Sequence, residues 1–105
     1  MKMAFHLSPT SEILLALGRR VRSQRLAQGL PQSELAEMAG LSLGALRKLE
    51  GSGQSSLETL VRAMQALGCV SELDDLLVLQ EQSIAQMART FATHQRQRAP
   101  RRHRP

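Results

Sequence analysis

Apolar residues recur at helical spacing in several stretches of the chain, and glycine, proline or serine separates each stretch from the next. The first stretch forms one stripe made of Ile13, Leu14, Leu17, Val21 and the stem of Arg25. Ser8 and Pro9 are suited to begin this helix, because serine caps helices and proline fits the first helical position. The pattern predicts a long amphipathic helix that ends near Gly29.

A short second helix is predicted after a break at Leu30 and Pro31. It closes at Gly40, and its apolar side consists of Leu35, Met38 and Ala39. A single long helix would bury the same leucines without this interruption. The break is therefore expected to serve a purpose other than filling a core.

A third helix is predicted immediately afterwards, with Ser42 as its N-cap. Leu46 and Leu49 point inward on this helix, with Leu41 beneath them. The outward side carries Leu43, Gly44, Arg47 and Lys48. Two short helices joined by a tight turn predict a helix-turn-helix, in which the second helix lies in the major groove of DNA.

A fourth helix is predicted from a capping box formed by Ser55 and Glu58, and it ends at Gly68. Its apolar stripe consists of Leu57, Leu60, Val61, Met64 and Leu67. A short fifth helix is expected from Ser71, because the acids that follow are favourable at a helix N-terminus. Its apolar face would complete the core through Leu73, Leu76 and Leu77.

A sixth helix is predicted between Glu81 and His94. Its apolar stripe consists of Ile84, Met87, Ala88 and Phe91. We interpret this stripe as a core or dimer contact in preference to a ligand groove. The chain is thus expected to comprise an N-terminal arm (residues 1–8), a domain (9–78), a helical extension (79–94) and a disordered tail (95–105).

Composition supports an all-α protein without catalysis. Leucine and alanine are abundant, and the two aromatic residues are both phenylalanine. We expect no metal or cofactor, because the single cysteine, Cys69, and the three histidines have no metal-ligand spacing. No nucleophile and base are paired either. A cytoplasmic, nucleoid-associated protein is expected, because no run of 18 apolar residues and no secretory signal is evident.

The formal charge of +5 is unevenly distributed. Residues 89–105 contain six arginines and no acid, whereas the rest of the chain has eight basic and nine acidic residues. Two interpretations of this tail stay open: a solvated end, or an arm that binds phosphates. The arginines of such an arm would be Arg96, Arg98, Arg101, Arg102 and Arg104.

The segment from Leu17 to Leu67 resembles the Cro/Xre-type helix-turn-helix family of phage and bacterial repressors. The resemblance is carried by LGRRVRSQR, QSELAEMAGLS and LRKLEGSGQSSLETLVRAMQAL. It implies an all-α, five-helix Cro/lambda-repressor-like domain, to which the helical extension and basic tail are added. It also implies phosphate contacts by Gln32 and Ser42, and a structural ion pair between Arg25 and Glu50. The implied base readers are Leu43, Gly44, Arg47 and Lys48.

Three residues, Pro31, Leu43 and Gly44, depart from the family pattern. Pro31 stands where a capping threonine is usual, and a lost cap costs about 1 kcal/mol. Leu43 and Gly44 replace a polar base-reading pair, so Arg47 becomes the candidate for a bidentate contact with guanine. The protein is then expected to prefer a narrow set of DNA sequences, or to recognise its site partly through the shape of the DNA.

The leading hypothesis is a repressor that binds a near-palindromic operator in double-stranded DNA as a homodimer. A sharper version follows from similarity in layout to HipB-like antitoxins, which bind a HipA-like kinase toxin and repress their own operon. The extension after Leu77 would then be an extra DNA arm or a toxin contact. The alternative is a protein-interaction adaptor with a repurposed helix-turn-helix surface, in which Leu43 and the Phe91 stripe make contacts.

Overall fold

The computed structural model describes residues 4–79, together with residues 88, 89 and 91. Within residues 4–79 the chain forms four α-helices and no strand. The helices are α1 (Thr10–Ala27), α2 (Gln32–Ala39), α3 (Leu43–Ser52) and α4 (Leu57–Leu67). Short 3₁₀ helices at Phe5–Leu7 and Val70–Leu73 flank them. The all-helical prediction is confirmed.

The core lies where the four helices meet, and its central side chains are Leu35, Leu46 and Leu49. Around them are the remaining buried members of the cluster, Val21, Ala36, Ala63 and Leu67. Leu46 and Leu49 are three positions apart on α3, and Ala63 and Leu67 are four apart on α4, so each of these two helices contributes one apolar stripe. α2 and α3 are too short to be stable alone, so burial against α1 and α4 supplies most of their stability.

Two glycines allow α1 to approach the end of α3 very closely. A Cβ at Gly18 would overlap the carbonyl oxygen of Leu49, and a Cβ at Gly53 would overlap the carbonyl of Leu14. Gly53 also has φ of +76°, a conformation that side chains strongly disfavour. This crossing fixes the position of α3 against the long α1.

Two predicted helix starts are wrong by one residue. α1 begins at Thr10 with Pro9 as its N-cap, and Ser8 instead ends the preceding 3₁₀ helix. α4 is capped by Ser56, whose Oγ accepts from the Thr59 N–H at 3.0 Å. At α4 either of two adjacent serines has a hydroxyl that can cap the helix, whereas at α1 Pro9 holds the N-cap position without a side-chain hydrogen bond.

The predicted fifth α-helix is also wrong. Residues 70–73 form a 3₁₀ helix, the chain then turns, and Leu77 has φ of +61°. The acids Asp74 and Asp75 follow this short helix instead of opening one, so they face the unfavourable C-terminal end of its dipole. Leu77, expected to help complete the core, is 94% exposed.

Two residues assigned to apolar stripes lie on the outside of their helices. Met38 of α2 is 53% exposed and Leu57 of α4 is 75% exposed. In their place, Ala36 and Ala63 occupy the buried faces of α2 and α4. Alanine is a weak apolar signal in a sequence, which explains why the predicted stripes include Met38 and Leu57 instead of these two alanines.

The chain divides into two compact units, Met1–Asp74 and Asp75–Pro105. Ala88, Arg89 and Phe91 of the second unit are helical. Its exposed apolar residues include Leu76, Leu77, Val78, Leu79 and Phe91. The rest of the predicted helical extension and the whole arginine tail lie outside the described residues. The predicted boundaries of arm, domain, extension and tail remain predictions.

Candidate nucleic-acid interface

The turn between α2 and α3 spans only Gly40, Leu41 and Ser42. Gly40 has φ of +68°, and the Leu41 N–H donates to the Ala36 carbonyl at 2.8 Å, so the last turn of α2 is closed by a glycine cap. The side chain of Leu41 packs against the core. This closed turn sets the angle at which α3 leaves α2.

α3 begins at a side-chain cap and buries one face. Ser42 Oγ accepts from the Ala45 N–H at 3.0 Å. Leu46 and Leu49 are fully buried, which leaves Arg47 and Lys48 exposed on the other side. At the start of α3, Leu43 is half-buried and Gly44 exposed, and no described atom would lie within 4 Å of a Cβ at Gly44. The four residues predicted to read bases therefore lie on or beside one outward surface of α3.

The buried charges Arg25 and Glu50 join α1 to α3. Arg25 Nε donates to Glu50 Oε2 at 2.8 Å, and Arg25 Nη2 donates to Glu50 Oε1 at 2.9 Å. The side chains are only 8% and 3% exposed. The hydrogen bonds to Glu50 raise the pKa of Arg25 above its usual value, more than burial lowers it. This bidentate geometry is the strongest form of an Arg–carboxylate pair.

The same pair also holds the start of α2. Arg25 Nη1 donates to the Leu30 carbonyl at 2.8 Å, and Gln32 Nε2 donates to Glu50 Oε1 at 3.1 Å. Gln32 is half-buried at the first position of α2. Among the described residues, no buried side-chain nitrogen or oxygen is left without a hydrogen-bond partner. Three helices therefore meet in one satisfied polar network.

Comparison with known families identifies this arrangement. A helix-turn-helix family model of the Cro/C1 type matches residues 21–74, slightly more than half of the chain. The chain belongs to this family. It is therefore a DNA-binding regulator of the helix-turn-helix class, as the sequence motifs predict. No curated protein matches the chain.

In this helix-turn-helix protein the exposed charges differ between the two short helices. The exposed charged residues of α2 are the acids Glu34 and Glu37, whereas those of α3 are the bases Arg47 and Lys48. Glu50 adds no exposed negative charge to α3, because it is buried against Arg25. Of these two helices, the one that the family places in the DNA groove therefore carries the exposed positive charge.

A polar recess beside α3 was not predicted from the sequence. It encloses about 300 Å³ and is lined by Ala45, Lys48, Gln54, Ser55, Ser56 and Thr59. The recess lies at the N-terminus of α4, where backbone N–H groups and the helix dipole favour an anion. The pair of serines before Leu57 is a usable signal, but from the sequence alone it predicts only a helix cap.

The basic residues of α1 do not act as one group. Arg25 is buried, Arg19 and Arg22 are exposed, and the guanidinium of Arg20 lies 4.9 Å from the centre of the Phe5 ring. That cation–π contact joins the N-terminal segment to α1. The tail arginines 96, 98, 101, 102 and 104 lie outside the described residues, so their phosphate contacts remain a prediction.

The described residues also bear on metal, thiol and membrane chemistry. No group of three or more histidine, cysteine or acidic side chains there could hold a metal ion. Cys69 is a half-buried free thiol, and burial, aided by the charge of Glu72, raises its pKa. No described helix is long and apolar enough to cross a membrane.

Proposed function

We propose that this protein is a sequence-specific transcriptional repressor that binds a near-palindromic operator as a homodimer. The observation that carries the proposal is the basic outward surface of α3, opposite the buried Leu46 and Leu49. A capped helix with one basic outward side fits the major groove, which admits one α-helix.

Base readout is assigned to the outward residues of α3. Arg47 can donate two hydrogen bonds to O6 and N7 of a guanine, which discriminates against other bases by about 1 to 3 kcal/mol. Leu43 can contact a thymine methyl group. The open space around Gly44 lets the backbone approach a base edge. Lys48 borders both this surface and the polar recess, so it can contact a base or a phosphate.

Phosphate contacts are assigned to positions on both sides of α3. Gln32 lies at the start of α2, where Pro31 offers no side-chain oxygen to the first N–H groups. Ser42 lies at the start of α3. The recess formed by Lys48, Ser56 and the N-terminus of α4 supplies a third anion position. Such contacts fix the protein on the duplex without reading sequence.

Dimerisation would place two copies of α3 in successive major grooves about 34 Å apart. The exposed apolar residues of the second unit support self-association, because contiguous exposed apolar surface usually marks an interaction site. They include the consecutive residues Leu76–Leu79, together with Phe91. Dimerisation accounts for the near-palindromic operator, since a two-fold protein binds a two-fold site.

The direct test is a fluorescence-anisotropy titration of the full chain with DNA from its own upstream region. We expect Arg47→Ala to weaken binding by roughly tenfold to a hundredfold, because one bidentate base contact is lost. The matched control is Arg62→Ala, which removes the same charge from an exposed arginine paired with Glu58. Equal binding by the Arg47 and Arg62 variants would exclude Arg47 from the site.

Within this function, we propose that the protein is the autoregulating antitoxin of a HipBA-like module. The support is a resemblance in layout: a compact helix-turn-helix unit followed by a short, charged C-terminal segment. The identity of the adjacent gene tests whether the protein is such an antitoxin. A neighbouring HipA-like kinase that binds the chain would support it, and unrelated neighbours would contradict it.

A second candidate function is a protein-interaction adaptor. It is favoured by an open groove of about 830 Å³ between α2 and α4, whose apolar walls include Met38, Leu57 and Val61. Salt titration separates the two functions. For DNA, log K falls against log salt concentration with a slope near −0.9 per phosphate contact, whereas an apolar interface responds little.

A further inference from the structure

Gln32 lies where the start of α2 meets the buried Arg25–Glu50 pair. Its Nε2 donates to Glu50 Oε1, and the same oxygen accepts from Arg25 Nη2. A carboxylate can only accept hydrogen bonds, so the amide must turn its nitrogen toward Glu50. The ion pair therefore fixes the orientation of the side chain to which the proposed function assigns a phosphate contact.

We propose that Glu50, held by Arg25, is a positioning residue for DNA binding, because it holds the Gln32 amide ready to donate to a phosphate. The proposal rests on the proposed function. A primary amide has two N–H groups, and the bond to Glu50 uses one of them. The second N–H is then held in the same plane, about 120° from the first, and is the donor assigned to the DNA.

Several hydrogen bonds anchor the network. Arg25 is fixed at three points: Nε and Nη2 on Glu50, and Nη1 on the Leu30 carbonyl. Leu30 and Pro31 lead directly into Gln32, so Arg25 holds the backbone just before this position, and its partner Glu50 holds the side chain. A glutamine in solution samples many rotamers, and a preorganised donor loses less entropy when it binds.

Arg25 also removes an electrostatic obstacle. An unpaired carboxylate beside a DNA phosphate would repel it, and a buried charge is little screened by salt. The bidentate guanidinium neutralises Glu50 without occupying the second N–H of Gln32. The pair can therefore orient the amide without weakening the attraction to the phosphate.

The test is a double-mutant cycle on DNA affinity with the full chain. Arg25→Met with Glu50→Leu replaces both charges by apolar residues of similar size, a change that commonly preserves the fold of a buried pair. Gln32→Ala is then measured in the wild-type and in this apolar-pair background. We expect about a tenfold loss in the wild-type background and less than a twofold loss in the apolar one.

The control is Gln28→Ala. The amide of Gln28 also donates within the protein, to the Leu67 carbonyl at 2.7 Å, but it joins α1 to α4. Its removal should leave DNA affinity unchanged within twofold. The unfolding midpoint of each variant, followed by circular dichroism because the chain has no tryptophan or tyrosine, separates loss of fold from loss of positioning.

The outcomes distinguish the two levels of the proposal. Equal losses for Gln32→Ala in both backgrounds would overturn the positioning role and leave the proposed function intact. Absence of salt-dependent DNA binding by the wild-type chain would remove both.

A second measurement needs no DNA. In the free protein, the side-chain amide NMR signals of Gln32, assigned by their loss in Gln32→Ala, should shift to the values of a solvated glutamine in the apolar-pair variant. Unchanged signals would show that Glu50 does not hold the amide, which also overturns the proposal.

Discussion

The two short helices of the helix-turn-helix begin in opposite ways. α3 starts at Ser42, whose own hydroxyl accepts from the Ala45 N–H three residues later. α2 starts after Pro31, which offers no such acceptor. Instead, the entry to α2 is held from a distance, by Arg25 of α1 on the Leu30 carbonyl and by Glu50 of α3 on Gln32.

The difference shows that helix starts can be stabilised locally or by tertiary contacts, and that the two have different consequences. A local cap stabilises its own helix and leaves the neighbours unaffected. The Arg25–Glu50 network stabilises the junction of three helices at once. Its loss should therefore also change the orientation of α2 relative to α3. The following predictions test this contrast, from the largest expected effect to the smallest.

Glu50→Ala should have the largest effect. It leaves the guanidinium of Arg25 buried without its carboxylate, and removing one partner of a buried pair costs about 3 to 5 kcal/mol. Much of the stability of so small a domain would be lost. Urea denaturation followed by circular dichroism at 222 nm measures the change in the free energy of unfolding.

The control for this variant is the paired replacement Arg25→Met with Glu50→Leu. It should recover most of the lost stability, since no charge is left buried without a partner. If Glu50→Ala unfolds at the wild-type urea concentration, the network does not stabilise the junction, and the contrast between the two helix starts fails.

Ser42→Ala should have an intermediate effect. It removes the oxygen that caps α3 and should lower the free energy of unfolding by about 1 kcal/mol. Ser55→Ala is the matched control, because Ser55 loses the same atom but its hydroxyl donates only to the adjacent Ser56 carbonyl. Equal stability of these two variants would mean that the Ser42 cap contributes nothing measurable.

Pro31→Ser should have the smallest effect. The new hydroxyl can cap α2, which should raise the free energy of unfolding by about 1 kcal/mol. Loss of the proline gives the unfolded chain more conformational entropy, which should lower the free energy of unfolding by about 0.4 to 1 kcal/mol. The two changes nearly cancel, so the urea midpoint should move little. A large stabilisation would indicate that α2 lacked support at its start, and that the distant network holds it poorly.

The candidate site was partly predictable, for a physical reason. Leu46, Leu49 and Ser42 have roles set by helical periodicity and by a cap three residues away, so their placement follows from local sequence. The outward surface containing Arg47 and Lys48 is the side of α3 away from these buried leucines, so the same periodicity predicts it. The polar recess at Ser56 forms only because residues of α3 and the start of α4 are brought together, and no local sequence pattern predicts that.

The sequence by itself determined the helices, the glycine that ends α2, and the cap of α3, because these depend on backbone geometry and on contacts within one turn. The ion pair of Arg25 and Glu50 could be expected only through family resemblance. Tertiary structure alone decided the attachment of Gln32 to that pair, because it depends on residues brought together across a span of chain that local propensity is too weak to specify. The 3₁₀ helix and turn at the place of the expected fifth helix also differ from what its apolar spacing predicts.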